Sequence, residues 1–175
     1  MERKRIEIEA KFTLFNKEIA IKKLNECGKK TEINNIQKDI YYTPQHENFL
    51  KAKPVSEWLR IRNTDSEKTI TYKNWNNNGA NNKISCKEIE IGIDDYDGMI
   101  ELLNALDFKQ IIVVEKVRNS WEYNGIIISI DSINNLGDFL ELEFKTNLYD
   151  NETDSLKYIK DTIKELGLEV GEQIF

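Results

Sequence analysis

Residues 7–11 read Glu7-Ile8-Glu9-Ala10-Lys11, and the alternation of charged and apolar side chains extends to Ile6 and Phe12. In a β-strand, residues two apart project from the same face. The two glutamates and the lysine therefore share one face, and the apolar residues share the other. Carboxylates beside an amine could bind a metal ion and a polyanion side by side, so we expect this strand to carry part of a binding site.

The size and composition of the chain fit one globular domain. It has 175 residues, of which 39% are hydrophobic and 32% charged, with a net charge of -6. We expect a single domain over residues 1–175 with a substantial core. An acidic chain is a poor candidate for non-specific binding of nucleic acid or a membrane surface, and the sequence has no signal region or membrane-spanning run. Cys27 and Cys86 form no metal or disulfide pattern. We expect a cytoplasmic protein, either a monomer or a homodimer.

Alternation with a period of two dominates the rest of the chain. It predicts strands at residues 5–12, 39–42, 57–62, 68–73, 85–93, 111–118, 120–123, 126–131 and 139–146. A helical period predicts helices at residues 16–27, 96–106 and 153–166. The polar segment 74–82 predicts a mobile loop between two antiparallel strands. This content favours an α+β fold, an antiparallel sheet with a few helices packed against it.

The charged residues of each predicted strand lie on one face, as Arg60 and Arg62 do beside Leu59 and Ile61. One interpretation is a sheet with a solvated charged face. The other is a closed barrel that encloses these faces, with helices on its apolar exterior. Burying many charges costs several kcal/mol per ion unless each is paired, hydrated or bound to a ligand. Such a barrel would be a water-filled tunnel for a highly charged guest, and periodicity alone does not choose between the two.

Motifs in these strands occur in an order that is typical of one family. They are Glu7-x-Glu9-x-Lys11, Gln37-Lys38-Asp39-Ile40-Tyr41-Tyr42, Leu59-Arg60-Ile61-Arg62, Thr71-Tyr72-Lys73, Lys87-Glu88-Ile89-Glu90, Glu115-Lys116-Val117-Arg118, Asp131 and Leu136-Gly137-Asp138-Phe139-Leu140-Glu141-Leu142-Glu143. Together they resemble the CYTH superfamily, also called the triphosphate tunnel metalloenzymes. The resemblance is greatest to the branch that contains the class IV adenylyl cyclases.

The resemblance implies a closed eight-stranded antiparallel β-barrel with a charged interior and helices outside. It implies that the tunnel binds a triphosphate together with Mg²⁺ or Mn²⁺. Arginine suits phosphate because its planar fork matches phosphate oxygens, and Mg²⁺ prefers oxygen ligands. The expected substrate-binding residues are Lys11, Arg60, Arg62, Lys73, Lys87, Lys116 and Arg118. Those expected to act in catalysis are Lys11, Arg60, Lys73, Lys116 and Arg118. The expected metal ligands are Glu7, Glu9, Asp131, Glu141 and Glu143.

Three functions are compatible with this resemblance. The first is cyclisation of ATP to cyclic AMP and pyrophosphate, as in the class IV cyclases. The second is hydrolysis of thiamine triphosphate, inorganic tripolyphosphate or a nucleotide. The third is a non-catalytic module that binds polyphosphate or nucleotide. Cyclases of this class carry a His-Phe pair shortly before the Glu-x-Glu-x-Lys motif, and residues 1–6 contain neither residue. Whether Asp39 belongs to the site or caps a turn stays open.

Overall fold

The computed structural model describes residues 6–53, 55–75, 85–144 and 152–174, with the backbone alone at Ile6, Glu7 and Glu152. In chain order the elements are β1 (Ile6–Leu14), α1 (Lys17–Cys27), β2 (Lys29–Pro44), a 3-10 turn (Phe49–Lys51), β3 (Glu57–Thr64), β4 (Lys68–Trp75), β5 (Ser85–Gly92), α2 (Tyr96–Ala105), β6 (Phe108–Tyr123), β7 (Ile126–Ile133), β8 (Gly137–Phe144), α3 (Glu152–Glu165) and β9 (Val170–Ile174). Most of the predicted loop 74–82 lies outside the described residues, and its first two residues, Asn74 and Trp75, end β4.

Eight strands close into an antiparallel barrel. They run in the order β5-β4-β3-β2-β6-β7-β8-β1, and β1 pairs back with β5. The closing ladder is short and joins Ile6–Ile8 to Ser85–Lys87. Farther along β1, residues Lys11–Leu14 pair with β9. The ring confirms the predicted eight-stranded barrel, so the charged strand faces enclose an interior.

Apolar side chains face outward and are covered by the helices. Leu24 of α1 and Ile159 of α3 are fully buried in one cluster with Ile128 and Leu140 of the barrel wall. Leu103 of α2 lies in a second cluster, over β2 and β3. Fully burying such a side chain stabilises a fold by about 1.5–3 kcal/mol, so these contacts fix which strand face points inward. None of the helices in the described ranges is long and apolar enough to cross a membrane.

The three helices lie within a residue or two of their predicted bounds. At α1, the Asn16 side chain accepts a hydrogen bond from the backbone N–H of Ile19, and Gly28 follows the last turn. These are standard start and stop signals, which explains why the prediction was accurate.

Two strands are longer than predicted, and one was missed. β2 and β6 each span 16 residues, whereas only residues 39–42 were predicted for β2 and two separate segments for β6. The first half of β2 contains Asn34 at φ 48 and two register shifts, so it lacks regular alternation. β9 is short and includes Gly171, a poor strand former. Pairing with neighbouring strands, which sequence periodicity does not reveal, holds both segments in the sheet.

Candidate active site

The barrel encloses a cavity of about 400 Å³. Its wall is built from the inward-facing positions of β1 to β6 and β8, with contributions from the segment before β3 and from the end of β9. The charged residues that line it are Glu9, Lys11, Arg60, Arg62, Lys73, Glu88, Glu90, Lys116, Arg118, Glu141 and Glu143. Cations and carboxylates are thus brought together on one enclosed surface. The alternation of the strands predicted a shared charged face, and the family resemblance implied that this face is enclosed.

Six of the seven predicted substrate-binding cations line this cavity, and Lys87 does not. Lys87 is exposed on β5, whereas Glu88 and Glu90 face the cavity. Since successive side chains of a strand point to opposite faces, Lys87 projects outward. The structure therefore does not bring Lys87 together with the other predicted substrate-binding cations.

A buried aspartate organises three of the cations. Asp131 has 0% exposure and accepts hydrogen bonds from Lys116 Nζ at 2.7 Å, Arg118 Nε at 2.6 Å and Arg118 Nη2 at 2.7 Å. Lys11 Nζ lies 3.7 Å from the same carboxylate. Burial alone would raise the pKa of this carboxyl, but the hydrogen bonds and charge of Arg118 outweigh burial and lower the pKa to about 2.

These contacts do not favour the predicted role of Asp131 as a metal ligand. Both of its oxygens are occupied by cationic donors, and it is not among the residues that line the cavity. Asp131 instead lies behind Lys116 and Arg118 as their counter-charge. The alternation of β7 predicts the strand face on which Asp131 lies. Whether its carboxylate reaches the cavity or stays behind other side chains depends on contacts with neighbouring strands.

A second buried aspartate holds the other arginines. Asp39 accepts from Arg62 Nε and Nη2, both at 2.7 Å, and Arg60 Nη1 lies 3.6 Å away. Burial would raise the pKa of the Asp39 carboxyl, but the hydrogen bonds from Arg62 and the charge of Arg60 hold it below its usual value. Asp39 lies within the β2 ladder, opposite Arg62. It therefore does not cap a turn.

Three carboxylates face the cavity from β1 and β8. Glu9 and Glu143 are direct cross-strand partners, an arrangement of like charges that is unfavourable unless a cation lies near. Glu9 Oε2 accepts from Lys73 Nζ at 3.1 Å. Both oxygens of Glu141 are engaged, one by Arg118 at 2.8 Å and the other by Lys11 at 2.9 Å. Glu9 and Glu143 therefore place two carboxylates side by side on the cavity wall.

The side chain of Glu7, the remaining predicted metal ligand, lies outside the described part of the structure. Within the described ranges, no three acidic, histidine or cysteine side chains form a ready metal cluster. Mg²⁺ usually takes only one or two protein carboxylates and completes its shell with phosphate oxygens and water. The donor set at Glu9 and Glu143 fits that pattern.

The pKa values of the two lysines in this cluster are shifted in opposite directions. Burial, together with the nearby charge of Arg118, lowers the pKa of Lys116 to about 7. Burial also acts to lower the pKa of Lys11, but Glu141 and Asp131 outweigh it, so that pKa is raised. Lys116 is thus a cavity cation whose charge changes near neutral pH.

Several cavity residues were not among the predicted site residues. Trp58 lies two positions before Arg60 on the inward face of β3, and its ring meets Tyr41 edge to face at 5.3 Å. Thr71 donates to Glu90 at 2.8 Å and accepts from Arg60 at 3.3 Å. Spacing by two from Arg60 and Lys73 is the signal that could have identified Trp58 and Thr71.

Comparison with known proteins agrees with this architecture. The CYTH domain family matches residues 5–174. A Methanocaldococcus jannaschii protein named "Putative adenylate cyclase" is 30% identical over 165 residues, which cover 93% of this chain and 90% of that protein. A solved structure from Pyrococcus horikoshii superposes with a TM-score of 0.77 at 31% identity and covers 95% of this chain and 93% of its own.

A more distant structure shares the fold alone. It is a protein from Hippeastrum with 16% identity and a TM-score of 0.62, covering 94% of this chain and 89% of its own. It is described as an adenylyl cyclase candidate with a dominant triphosphatase activity. The family match over nearly the whole chain and the enclosed charged cavity lead to one conclusion: this protein belongs to the CYTH domain family and is similar to its adenylate cyclase-like members.

Proposed function

We propose that this protein is a metal-dependent enzyme that acts on a triphosphate bound inside the barrel, and that its reaction is the cyclisation of ATP to cyclic AMP and pyrophosphate. The observation that carries the proposal is the cavity wall itself, where six cations face the carboxylates of Glu9, Glu141 and Glu143. A highly charged anion accompanied by a metal ion matches that surface. The name of the Methanocaldococcus jannaschii relative supports the choice of reaction.

The cations of the cavity would bind and orient the phosphates. Arg60 and Arg62 lie on β3, and Lys116 and Arg118 lie on β6, so the polyphosphate would be gripped from two walls. Guanidinium groups can make paired hydrogen bonds to phosphate oxygens, and such charge-assisted bonds are stronger than neutral ones. Rigid, preorganised charge of this kind stabilises the charge that develops as phosphoryl bonds break.

Glu9 and Glu143 would hold Mg²⁺ or Mn²⁺ at the edge of this cation cluster. When bound, the metal would supply positive charge at phosphate oxygens. Lys73 contacts Glu9 at 3.1 Å and would keep that carboxylate oriented toward the cavity. The strands fix these side chains before the substrate arrives, which lowers the entropy cost of positioning.

Triphosphate hydrolysis is the second candidate. Two observations favour it: the missing His-Phe pair before Glu7 and the triphosphatase activity stated for the Hippeastrum protein. In that reaction water, in place of the ribose 3′-hydroxyl, would attack a phosphorus atom in the same cavity.

One assay distinguishes these reactions. Purified protein is incubated with Mg²⁺ or Mn²⁺ and with ATP, thiamine triphosphate or tripolyphosphate in separate reactions. Cyclic AMP with pyrophosphate supports cyclisation, and release of orthophosphate supports hydrolysis. Saturable binding without turnover would indicate a non-catalytic binding module. Absence of both binding and turnover would contradict the proposal altogether.

A further inference from the structure

The two arginines of β3 differ in how firmly they are held. Arg62 forms a two-bond fork with Asp39, through Nε and Nη2 at 2.7 Å each. Arg60 approaches the same carboxylate only at 3.6 Å, and its Nε is buried without a hydrogen-bond partner in the described structure. Both arginines line the cavity, whereas Asp39 is 1% exposed and does not line it. The carboxylate therefore lies behind the guanidinium groups.

This arrangement fixes the orientation of one guanidinium plane. A guanidinium group has five N–H donors in a rigid plane, and the fork uses the edge formed by Nε and Nη2. The remaining donors of Arg62 point away from Asp39. Because Arg62 lies on the cavity wall, an orientation fixed by the fork presents these donors to a bound anion without further loss of side-chain freedom.

We propose that Asp39 is a positioning residue, whose fork on Arg62 sets the guanidinium plane that binds the triphosphate. This inference rests on the proposed function, since it assigns a role within the same cavity. The sequence alone left open whether Asp39 belongs to the site or caps a turn. Its hydrogen bonds with Arg62 connect it to the cavity wall.

The sign of one mutational effect separates positioning from simple charge balance. Asp39→Asn removes a negative charge from behind an anion-binding wall. If Asp39 were only a counter-charge, its removal would strengthen the attraction for a polyanion and tighten binding. If Asp39 positions Arg62, the same change frees the guanidinium group and weakens binding, because an asparagine side chain has only one acceptor oxygen for the fork.

The experiment measures the Kd of tripolyphosphate with Mg²⁺ by titration calorimetry. We expect Asp39→Asn to weaken binding by about ten- to hundredfold, the range for loss of a charge-assisted phosphate contact. The matched control is Glu115→Gln, which removes an exposed carboxylate that pairs with Lys38 at 3.4 Å and does not line the cavity. We expect the control to bind with an unchanged Kd. Tighter or unchanged binding in Asp39→Asn, or an equal loss in both variants, would overturn the inference.

A double-mutant cycle tests whether Asp39 acts through Arg62. In an Arg62→Met background, Asp39→Asn should cause no further loss of affinity, and an undiminished loss would overturn the inference. If Asp39→Asn does not fold, as judged by thermal unfolding, Asp39→Glu carries the test. It keeps the charge but displaces the fork by one methylene, so weaker binding is expected and unchanged binding refutes the role.

The same titrations distinguish failure of the proposed function from failure of the positioning role of Asp39. If the wild-type protein binds no tripolyphosphate, the proposed function fails and this inference fails with it. If the wild-type protein binds and Asp39→Asn is not weakened, only the positioning role fails.

Discussion

Replacement of Asp131 by asparagine is the sharpest test of the charged interior. Asp131 is fully buried, and its oxygens accept three hydrogen bonds from Lys116 and Arg118 at 2.6–2.7 Å. Lys11 lies 3.7 Å away. An asparagine side chain at this position would have nearly the same shape but no charge, so the substitution isolates the electrostatic contribution. It would leave these three cations with less compensation inside the barrel.

The expected loss of stability can be estimated in two ways. The pKa of Asp131 falls from 3.8 to about 2, which corresponds to roughly 2–3 kcal/mol in favour of the charged form in the folded state. Removal of one partner from a buried ion pair costs about 3–5 kcal/mol. We therefore expect Asp131→Asn to lower the free energy of unfolding by about 2–5 kcal/mol near neutral pH.

The pH dependence of that loss has a definite sign. Because the pKa of Asp131 is depressed in the folded state, its stabilising contribution is complete above the pKa of the unfolded chain. The contribution is lost as the pH falls through the folded-state value. The stability difference between wild type and variant should therefore be about 1 kcal/mol smaller at about pH 3 than at about pH 6. Urea unfolding followed by circular dichroism at the two pH values measures it.

The control is Glu115→Gln, which breaks the exposed contact between Glu115 and Lys38 at 3.4 Å. A surface pair of this kind contributes about 0–1 kcal/mol, so the control should change stability little. If Asp131→Asn were as stable as the wild type, or if its deficit were the same at both pH values, the role of Asp131 as the buried counter-charge of the barrel would be refuted.

Three further outcomes are expected. Glu143→Gln should reduce metal-dependent turnover by about a hundredfold or more while the unfolding midpoint stays close to that of wild type. Near-normal turnover, with an unchanged metal concentration for half-maximal activity, would exclude Glu143 from the metal site. Lys73→Ala should weaken tripolyphosphate binding by about tenfold. Lys87→Ala, on the outer face of the neighbouring strand, should leave the Kd unchanged. Equal effects would mean that Lys87 faces the cavity and that the assigned inward face of β5 is incorrect. Because the pKa of Lys116 is about 7, a bound polyanion should restore its proton, so binding above neutral pH should take up a proton and weaken as the pH rises. Calorimetry in two buffers of different ionisation enthalpy detects that uptake, and its persistence in Lys116→Met would assign the proton elsewhere.

The sequence was sufficient to predict the inward face of most strands. Arg60, Arg62, Lys116 and Arg118 each alternate with apolar residues on the opposite face, so periodicity alone placed them on one face. The choice of a closed barrel over an open sheet came from the order of the motifs. Closure itself depends on the three-residue ladder between β1 and β5, which joins segments far apart in sequence.

Lys87 and Asp131 lie away from the cavity surface for different physical reasons. A shift of one residue moves a side chain to the opposite face of a strand, and Lys87 shares its face with Ile89. Glu88 and Glu90 occupy the inward positions of this strand, and the sequence alone does not fix which of the two faces turns inward. Asp131 was placed on the correct face. Whether a carboxylate faces the cavity or lies behind a cation depends on neighbours from β1 and β6, and no local pattern encodes that.

The balance of charge in the cavity connects the metal to the substrate. Among the described residues, the six cations of the wall are opposed by five glutamates on the same wall and by Asp39 and Asp131 behind it. The cations are thus already compensated before a ligand arrives, so a bare triphosphate would meet little net attraction. A divalent cation at Glu9 and Glu143 would supply the missing positive charge, and the phosphates would in turn complete its coordination shell. Such coupling is reciprocal, so each ligand should raise the affinity of the other by the same factor.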